Sequence, residues 1–446
     1  MKTAVIVASL VIVGSARADE PFVSDEPTAA DVASAPLPGT EGGRTDTPEG
    51  DSLARDLAQG ALVAPKVAVQ VAFAPIRLGV WAYDRYRIGD RFVQLFFDDT
   101  ETYGLYPTFI LDSSYGVTAG GRFVHRNVFG EREHLALRAG AGGEFRARAD
   151  AQLRTGQRFG RLQAELETEF ERRPGDAYYG IGNSTEDIPN HHRQELLHAT
   201  LAADVRVVSA LHLRAAGAIT DLEYGNSADA VPIDTVYDPS ALTGWMGVRN
   251  VYGELELRWD GRRGAGFLDE HGVFEAGWLL AAYGGRVHQL EGGASYFRYG
   301  LDIQRFFGLG RGTRALATRL HMEGVTGEIE DVAFTQLPQL GGRSMLRGYA
   351  RDRFRDRTAA MASIEYEWDI GRLLMASLFF DVGRVFPSWL EPDASNIRAG
   401  YGMSLQLHSH HRFRSALSVA SSVDGGLFID LTFDPVFDIQ PRVEQR

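Results

Sequence analysis

From about residue 103 onward, the chain repeats one pattern: apolar and polar side chains alternate over roughly ten residues, and a turn follows. Residues 161–171, 197–207 and 251–259 show it most clearly, with aliphatic and aromatic side chains on one face and mainly charged or polar ones on the other. A period of two residues is that of a β-strand, in which successive side chains point to opposite faces. The pattern therefore predicts an all-β protein with long strands.

Three features favour a transmembrane β-barrel over a soluble β-sandwich or solenoid, the alternative that also fits alternation. The polar face is highly charged, the strands are long, and short and long connections alternate along the chain. A closed barrel also satisfies every backbone hydrogen-bonding group without a free edge, as a lipid environment requires. The sequence thus predicts an antiparallel transmembrane barrel over residues 101–437, followed by a C-terminal tail at 438–446.

Counting backward from the C-terminus predicts sixteen strands, an even number as such barrels favour. The count needs a turn at 139–143, because a single strand over 133–154 would give fifteen. It places the long connections on the outer side, at 173–193, 227–245, 335–358 and 387–395. It places the short connections on the inner side, at 209–210, 308–312 and 370–372.

The N-terminal region predicts an exported protein. Residues 1–18 combine a basic start, a short apolar run and the Ala16-Arg17-Ala18 site, as in a cleaved signal peptide. The run is too short for a membrane-spanning helix, which needs about 20 apolar residues. Residues 19–60 hold ten acidic and two basic residues and almost no aromatic ones, which predicts a disordered acidic segment. Residues 61–100 are interpreted as a periplasmic segment with a helical apolar pattern that two glycines interrupt.

Composition narrows the function classes. The formal net charge is −13 and no basic domain is present, so we expect no nucleic-acid partner. The chain has no cysteine, which excludes disulfides and thiolate metal sites. The histidines at 191–192 and at 408–411 have no carboxylates at metal-ligand spacing, and no Gly-x-Ser-x-Gly elbow occurs. We expect no catalytic, metal or cofactor site, and therefore no enzyme.

An arginine-rich loop and two following strands form the most distinctive motif. Residues 340–349 read Leu-Gly-Gly-Arg-Ser-Met-Leu-Arg-Gly-Tyr, and four more arginines follow by residue 357. The next strand contains Ser-Ile-Glu-Tyr at 363–366, and the one after it contains Phe-Phe-Asp-Val-Gly at 379–383. Alternation puts Glu365 and Asp381 on the inward faces of their strands. The motif predicts an arginine tip tucked into the lumen; an ordinary solvated outer loop is the alternative.

These three motifs resemble the bacterial surface antigen domain, the barrel domain of the BamA/TamA superfamily of outer-membrane assembly and secretion proteins. Tyr-Gly-Ile-Gly-Asn at 179–183 resembles another recurrent feature of that superfamily. The resemblance implies that the loop folds back into the barrel and that Arg347 contacts Glu365 and Asp381. The residues that it assigns to this structural lock are Arg347, Gly348, Tyr349, Glu365, Asp381 and Gly383.

The resemblance also implies a location in the bacterial outer membrane and a role in inserting or translocating proteins or lipids. A weak seam between the first and last strands would serve that role. Partners would be outer-membrane lipid and lipopolysaccharide, with client membrane proteins or lipids, and the barrel would be monomeric. The stretch before the first strand has no room for POTRA domains, so recruitment of clients by such modules is not expected. The alternative is a passive channel or structural protein with a loop-plugged lumen.

Overall fold

The computed structural model describes Arg85, Arg91 and residues 94–100, 102–112, 116–143, 146–228, 230–263, 276–309, 314–371, 374–391, 395–408 and 414–432. These residues form sixteen strands that lie side by side in one antiparallel sheet. Its first half comprises β1 (Tyr103–Asp112), β2 (Gly116–His125), β3 (His134–Gly142), β4 (Ala147–Arg154), β5 (Leu162–Tyr178), β6 (Asn190–Arg206), β7 (Leu211–Asn226) and β8 (Val248–Asp260). Its second half comprises β9 (Gly277–Gln289), β10 (Tyr296–Gly308), β11 (Ala315–Val325), β14 (Thr358–Gly371), β15 (Leu374–Phe386), β16 (Arg398–His408), β17 (Arg414–Ser422) and β18 (Phe428–Thr432).

The sheet curls into a barrel whose closing seam is very short. Each strand pairs with its neighbour in sequence, and β1 pairs with β2 over ten residues. Among the described residues, β1 meets the last strand, β18, at a single residue pair, Asp112 with Asp430. The predicted sixteen-stranded antiparallel barrel is confirmed, and in the part of the chain that the structure describes, its seam is the shortest of the strand pairings.

Alternating burial shows which side chains face the lumen. Leu201 and Leu255 are 61% and 63% exposed, whereas the neighbouring Thr200 and Glu254 are buried. Apolar side chains thus point outward and polar ones inward, the reverse of a soluble protein and the arrangement of a membrane barrel. The predicted orientation of both faces is confirmed.

Two predicted connections differ from the structure. The turn between β3 and β4 lies at 143–146 rather than 139–143, because the cross-strand pairing continues as far as Ala141 and Ala147. The long connection expected at 173–193 is shorter than predicted, because β5 and β6 remain paired as far as Tyr178 and Asn190. Only 179–189 form that loop. In addition, the 261–276 connection is long although it lies at the end of the barrel where short turns were expected.

The connection between β11 and β14, residues 326–357, folds across the inside of the barrel. Its first part buries Val332 and Leu337 against wall residues of β7 to β11. Its second part contains β12 (Gln339–Leu340) and β13 (Phe354–Arg355), which pair with each other. This part packs against β14 and β15 through a cluster of buried residues, Leu340, Met345, Leu346, Tyr349, Phe354, Ala359, Met361 and Val385. We call residues 326–357 the luminal loop.

The loop between β7 and β8 packs onto the luminal loop. It contains two short 3-10 turns, Ile233–Thr235 and Pro239–Ala241. Ile233 and Leu242 form a buried cluster with Tyr178 and with Phe334 of the luminal loop. Hydrophobic contacts thus join two long loops with the barrel wall at the end of the barrel to which the long connections belong.

The predicted signal peptide at 1–18, the acidic segment at 19–60 and the tail at 438–446 lie outside the described residues. Of the predicted periplasmic segment, Arg85, Arg91 and residues 94–96 are helical. Among the described residues, no helix is long and apolar enough to cross a membrane.

Candidate functional site

The tip of the luminal loop places Arg347 against two carboxylates of the barrel wall. Its Nε and Nη2 atoms donate to the two oxygens of Asp381 at 2.8 Å each, and its Nη1 donates to Oε2 of Glu365 at 2.8 Å. The backbone N–H of Arg347 also donates to Asp381, at 2.9 Å. All three side chains are at most 2% exposed. A planar guanidinium can bind two carboxylates at once in this way, whereas an ammonium group has no such fork.

Charge compensation makes this burial tolerable. Burial alone would lower the pKa of Arg347, but the adjacent carboxylates of Asp381 and Glu365 hold that pKa above its ordinary value. The arginine therefore stays charged, and two carboxylates face one guanidinium. Removing Arg347 would leave two buried carboxylates without their cation.

Two further wall residues contact the guanidinium of Arg347, and the sequence analysis gave neither of them a role. The hydroxyl of Ser363 donates to Oδ1 of Asp381 at 2.6 Å and accepts from Nη2 of Arg347 at 3.2 Å. The ring of Phe379 lies under the guanidinium, with its centroid 3.5 Å from Cζ of Arg347. Ser363 lies two residues before Glu365, and Phe379 lies two residues before Asp381. Side chains two residues apart on a strand face the same side, so alternation would have identified both as inward-facing.

The backbone at the tip adopts a conformation that depends on glycine. Gly348 has φ +93°, and a Cβ atom there would lie 2.2 Å from the carbonyl oxygen of Ser421 on β17. Gly400 on the adjacent strand β16 also contacts the tip, and a Cβ there would lie 1.7 Å from the carbonyl oxygen of Arg347. The tip thus touches the backbones of two wall strands, and neither contact leaves room for a methyl group.

Tyr349 and Gly383 extend the contact on either side of the arginine. The hydroxyl of Tyr349 donates to Asp424 in the turn between β17 and β18 at 2.8 Å, and burial raises its pKa to about 12. Gly383 lies on the inward face of β15, where an added Cβ would lie 3.0 Å from Leu340 and 3.4 Å from Leu346. The structure therefore brings all six residues of the sequence-derived set to the contact between luminal loop and wall.

The Tyr-Gly-Ile-Gly-Asn motif at 179–183 lies against the same contact. Gly182 donates its N–H to the carbonyl oxygen of Arg355 in β13 at 2.8 Å. The side-chain amide of Asn183 donates to the backbone carbonyl oxygen of Asn396, in the loop between β15 and β16, at 2.7 Å. The backbone carbonyl oxygen of Asn183 accepts from the side chain of Arg398 at 2.8 Å. This motif joins the luminal loop to the loop between β15 and β16 and to the start of β16.

Arg353 holds the loop 179–189 onto the luminal loop. Its guanidinium donates to the hydroxyl and the carbonyl oxygen of Thr185, both at 2.7 Å, and to Asp187 at 3.0 Å.

We expect Arg353→Ala to speed hydrogen exchange across 179–189 by about tenfold to a hundredfold. This factor corresponds to the loss of charge-assisted hydrogen bonds of about 1.5–3 kcal/mol. Arg343→Ala, an exposed arginine of the same loop, is the control. Unchanged exchange in Arg353→Ala would show that this contact does not order the loop.

Several inward glutamates of the barrel wall form ion pairs with arginines. Glu165 accepts from Arg154 at 2.8 Å, and Glu169 accepts from Arg148 at 2.8 Å. Glu256 is 1% exposed and pairs with Arg258. Glu169 and Glu256 are thus buried rather than solvated, and neighbouring arginines compensate their charge. In the described part of the chain, no three His, Asp or Glu side chains are arranged to hold a metal ion.

Fold and site together define a membrane-type β-barrel with an arginine-anchored luminal loop. In a comparison with known protein families, residues 273–422, which include the whole luminal loop and the wall strands it contacts, match the Omp85 superfamily domain. The resemblance predicted from the motifs is confirmed. No curated protein matches the chain.

Two solved structures share the fold. BamA from Haemophilus ducreyi lacking POTRA domains 1–3 is 14% identical, with a TM-score of 0.52 over 74% of this chain and 69% of that one. CdiB from Escherichia coli is 10% identical, with a TM-score of 0.50 over 74% of this chain and 62% of that one. The chain thus spans less than two thirds of the CdiB structure. The described residues, which before β1 comprise only Arg85, Arg91, 94–100 and 102, include no POTRA domain.

Proposed function

We propose that this barrel assists the insertion or translocation of proteins or lipids at the outer membrane, by opening its wall between β1 and β18. The observation that carries the proposal is the seam. Within the described ranges 102–112 and 414–432, β1 and β18 share one residue pair, Asp112 with Asp430, whereas β16 and β17 pair over nine residues. Since backbone hydrogen bonds hold a barrel closed, the wall should open where they are fewest.

The luminal loop supports this role over that of a passive channel. It crosses the lumen and packs on strands at both sides, with Leu337 and Leu346 buried at 1% and 0% exposure. The anchoring of Arg347 on β14 and β15 keeps this plug attached to the wall. A lateral opening at the seam needs no continuous pore through the lumen. The charged lumen wall is the feature that favours the channel alternative.

A disulfide across the seam tests the proposal. The chain has no cysteine, so Asp112→Cys with Asp430→Cys introduces the only pair. We expect the oxidised double variant to lose the ability to accelerate folding of a model outer-membrane barrel into liposomes, and we expect reduction to restore it. The matched control is Ser404→Cys with Ser418→Cys, which joins the paired strands β16 and β17 and should leave acceleration unchanged.

Equal acceleration by the oxidised and reduced seam variant would contradict the seam as the route. Mass spectrometry of the oxidised protein confirms that the disulfide has formed in each variant before the rates are compared.

A further inference from the structure

Two arginines lie on the lipid-facing side of neighbouring strands, each opposite an aromatic side chain. Arg286 of β9 pairs across the sheet with Phe297 of β10, and its Cζ lies 5.7 Å from the ring centroid. Arg305 of β10 pairs with Trp278 of β9, at 4.9 Å, and also lies 4.8 Å from Phe307. Between them, the outward faces of both strands carry only uncharged side chains: Leu280, Ala282, Gly284, Tyr299, Leu301 and Ile303.

Neither guanidinium pairs with a carboxylate among the described residues. Arg249 on the adjacent strand β8 shows the contrast, because it also faces outward but binds Asp221 at 2.6 Å and contacts Glu291. An unpaired cation facing lipid is most costly at the middle of the bilayer and is tolerated near the head groups. Whether the two arginines can contact lipid head groups therefore depends on how far they lie from the middle of the bilayer along their strands.

Their spacing places them at opposite surfaces of the membrane. Trp278 and Arg286 are eight residues apart in β9, and Phe297 and Arg305 are eight apart in β10. Eight residues span roughly 27 Å along a strand, and the usual strand tilt reduces this to about 20 Å along the membrane normal. That height is close to the apolar band of about 25 Å that such barrels present to lipid. The two Arg–aromatic pairs therefore mark its two edges.

Arg286 lies at the outer edge. It is near the end of β9 that leads into the connection 290–295, which belongs to the same end of the barrel as the long loops 179–189 and 227–247. Outer-membrane barrels carry their longer loops on the outside. Arg305 then lies at the inner edge.

Only Arg286 lies beside a notch in the lipid-facing surface. Gly253 pairs with it from β8, and Gly284 lies two residues before it on β9. A Cβ atom built at either glycine would have nothing within 4 Å. Gly217 continues the row on β7, opposite Gly253, with its nearest atom 3.9 Å from an ideal Cβ. The row leaves a shallow open strip next to a cation.

We propose that Arg286 binds a phosphate of lipid A in the outer leaflet, with an acyl chain lying in the strip formed by Gly217, Gly253 and Gly284. The forked guanidinium suits a phosphate oxygen pair. Phe297 holds the guanidinium over its ring and so limits the side-chain freedom lost on binding. Lipid A is the occupant because it combines phosphates with acyl chains and belongs to the leaflet at this edge of the barrel. The site does not depend on the proposed opening of the seam.

Native mass spectrometry of the full chain in detergent, titrated with diphosphoryl lipid A, tests this proposal. We expect Arg286→Gln to weaken retention of lipid A by about tenfold, the factor for one lost charge-assisted contact. Gly253→Val, which fills the strip but keeps the arginine, should also weaken it. Arg305→Gln is the matched control, since it removes an equivalent cation beside an aromatic ring at the other edge, and it should retain lipid A as the wild type does.

Further ligands separate the sources of phosphate. Lipid A without its phosphates should bind the wild type and Arg286→Gln equally, and inorganic phosphate should not compete with diphosphoryl lipid A at similar concentration. Equal loss in the Arg286 and Arg305 variants would overturn the proposal in favour of a general charge effect. Competition by inorganic phosphate would overturn the role of the acyl chains, and unchanged retention in Arg286→Gln would overturn the site.

Discussion

Replacing Arg347 by alanine is expected to destabilise the folded barrel by about 3–5 kcal/mol, because Asp381 and Glu365 would remain buried without their cation. Both carboxylates are 1% exposed, so water cannot easily replace the guanidinium. The readout is heat-modifiable migration in gels: the temperature at which the compact form is lost should fall markedly, as should the yield of folded protein in the outer membrane. Asp381→Ala should have a similar effect, because Asp381 receives three hydrogen bonds from Arg347.

Two controls separate the ion pair from the loop as a whole. Arg343→Ala removes an exposed arginine four residues away and should leave the transition temperature unchanged. The double variant Arg347→Ala with Asp381→Ala should cost much less than the sum of the single changes, because the two residues act through one contact. Wild-type migration and yield in Arg347→Ala would rule out the lock.

Replacing Gly400 by alanine is the second change with a large expected effect. The added methyl group would lie 1.7 Å from the carbonyl oxygen of Arg347. The backbone of Arg347 cannot easily move away, because its N–H donates to Asp381. Either the tip of the luminal loop moves away from the wall or β16 shifts, and the folded barrel is destabilised by about 1–3 kcal/mol or more. The measurement is again the transition temperature of heat-modifiable migration, together with protease access to the luminal loop.

Gly121→Ala is the matched control for this change. Gly121 also lies within a strand, and the nearest atom to its ideal Cβ is 3.8 Å away, an ordinary contact. Because the methyl group at 400 acts by displacing the tip, Arg347→Ala and Gly400→Ala should combine less than additively. Full additivity would indicate that Gly400 acts on strand pairing rather than on the tip.

The barrel could be predicted closely from the sequence because its signal is repeated sixteen times. Period-two alternation located every strand, and the chain order of a simple up-and-down sheet left few topologies to choose from. Strand ends were less predictable, as Tyr178 and Asn190 show. There the strands stay paired without an apolar face, so alternation gives no signal although backbone hydrogen bonds continue.

The site could be predicted only where alternation along a strand determines which way a side chain points. Inward parity oriented Glu365 and Asp381, and the motif resemblance supplied their link to Arg347, which the structure places between them. The same parity did not show that Gly400 and Ser421 contact the tip, because close backbone approach has no signature in a single sequence. The path of residues 326–337 across the lumen was equally hidden, since it depends on packing with residues from five strands.

The most direct test of the proposed role is the folding rate of a model outer-membrane barrel into liposomes that contain the wild-type protein, with planar-bilayer conductance recorded on the same preparation. We expect faster folding than into empty liposomes and no steady open state, because the luminal loop fills the barrel while the seam opens sideways. Steady, selective openings without any acceleration would contradict it and would identify the protein as a channel.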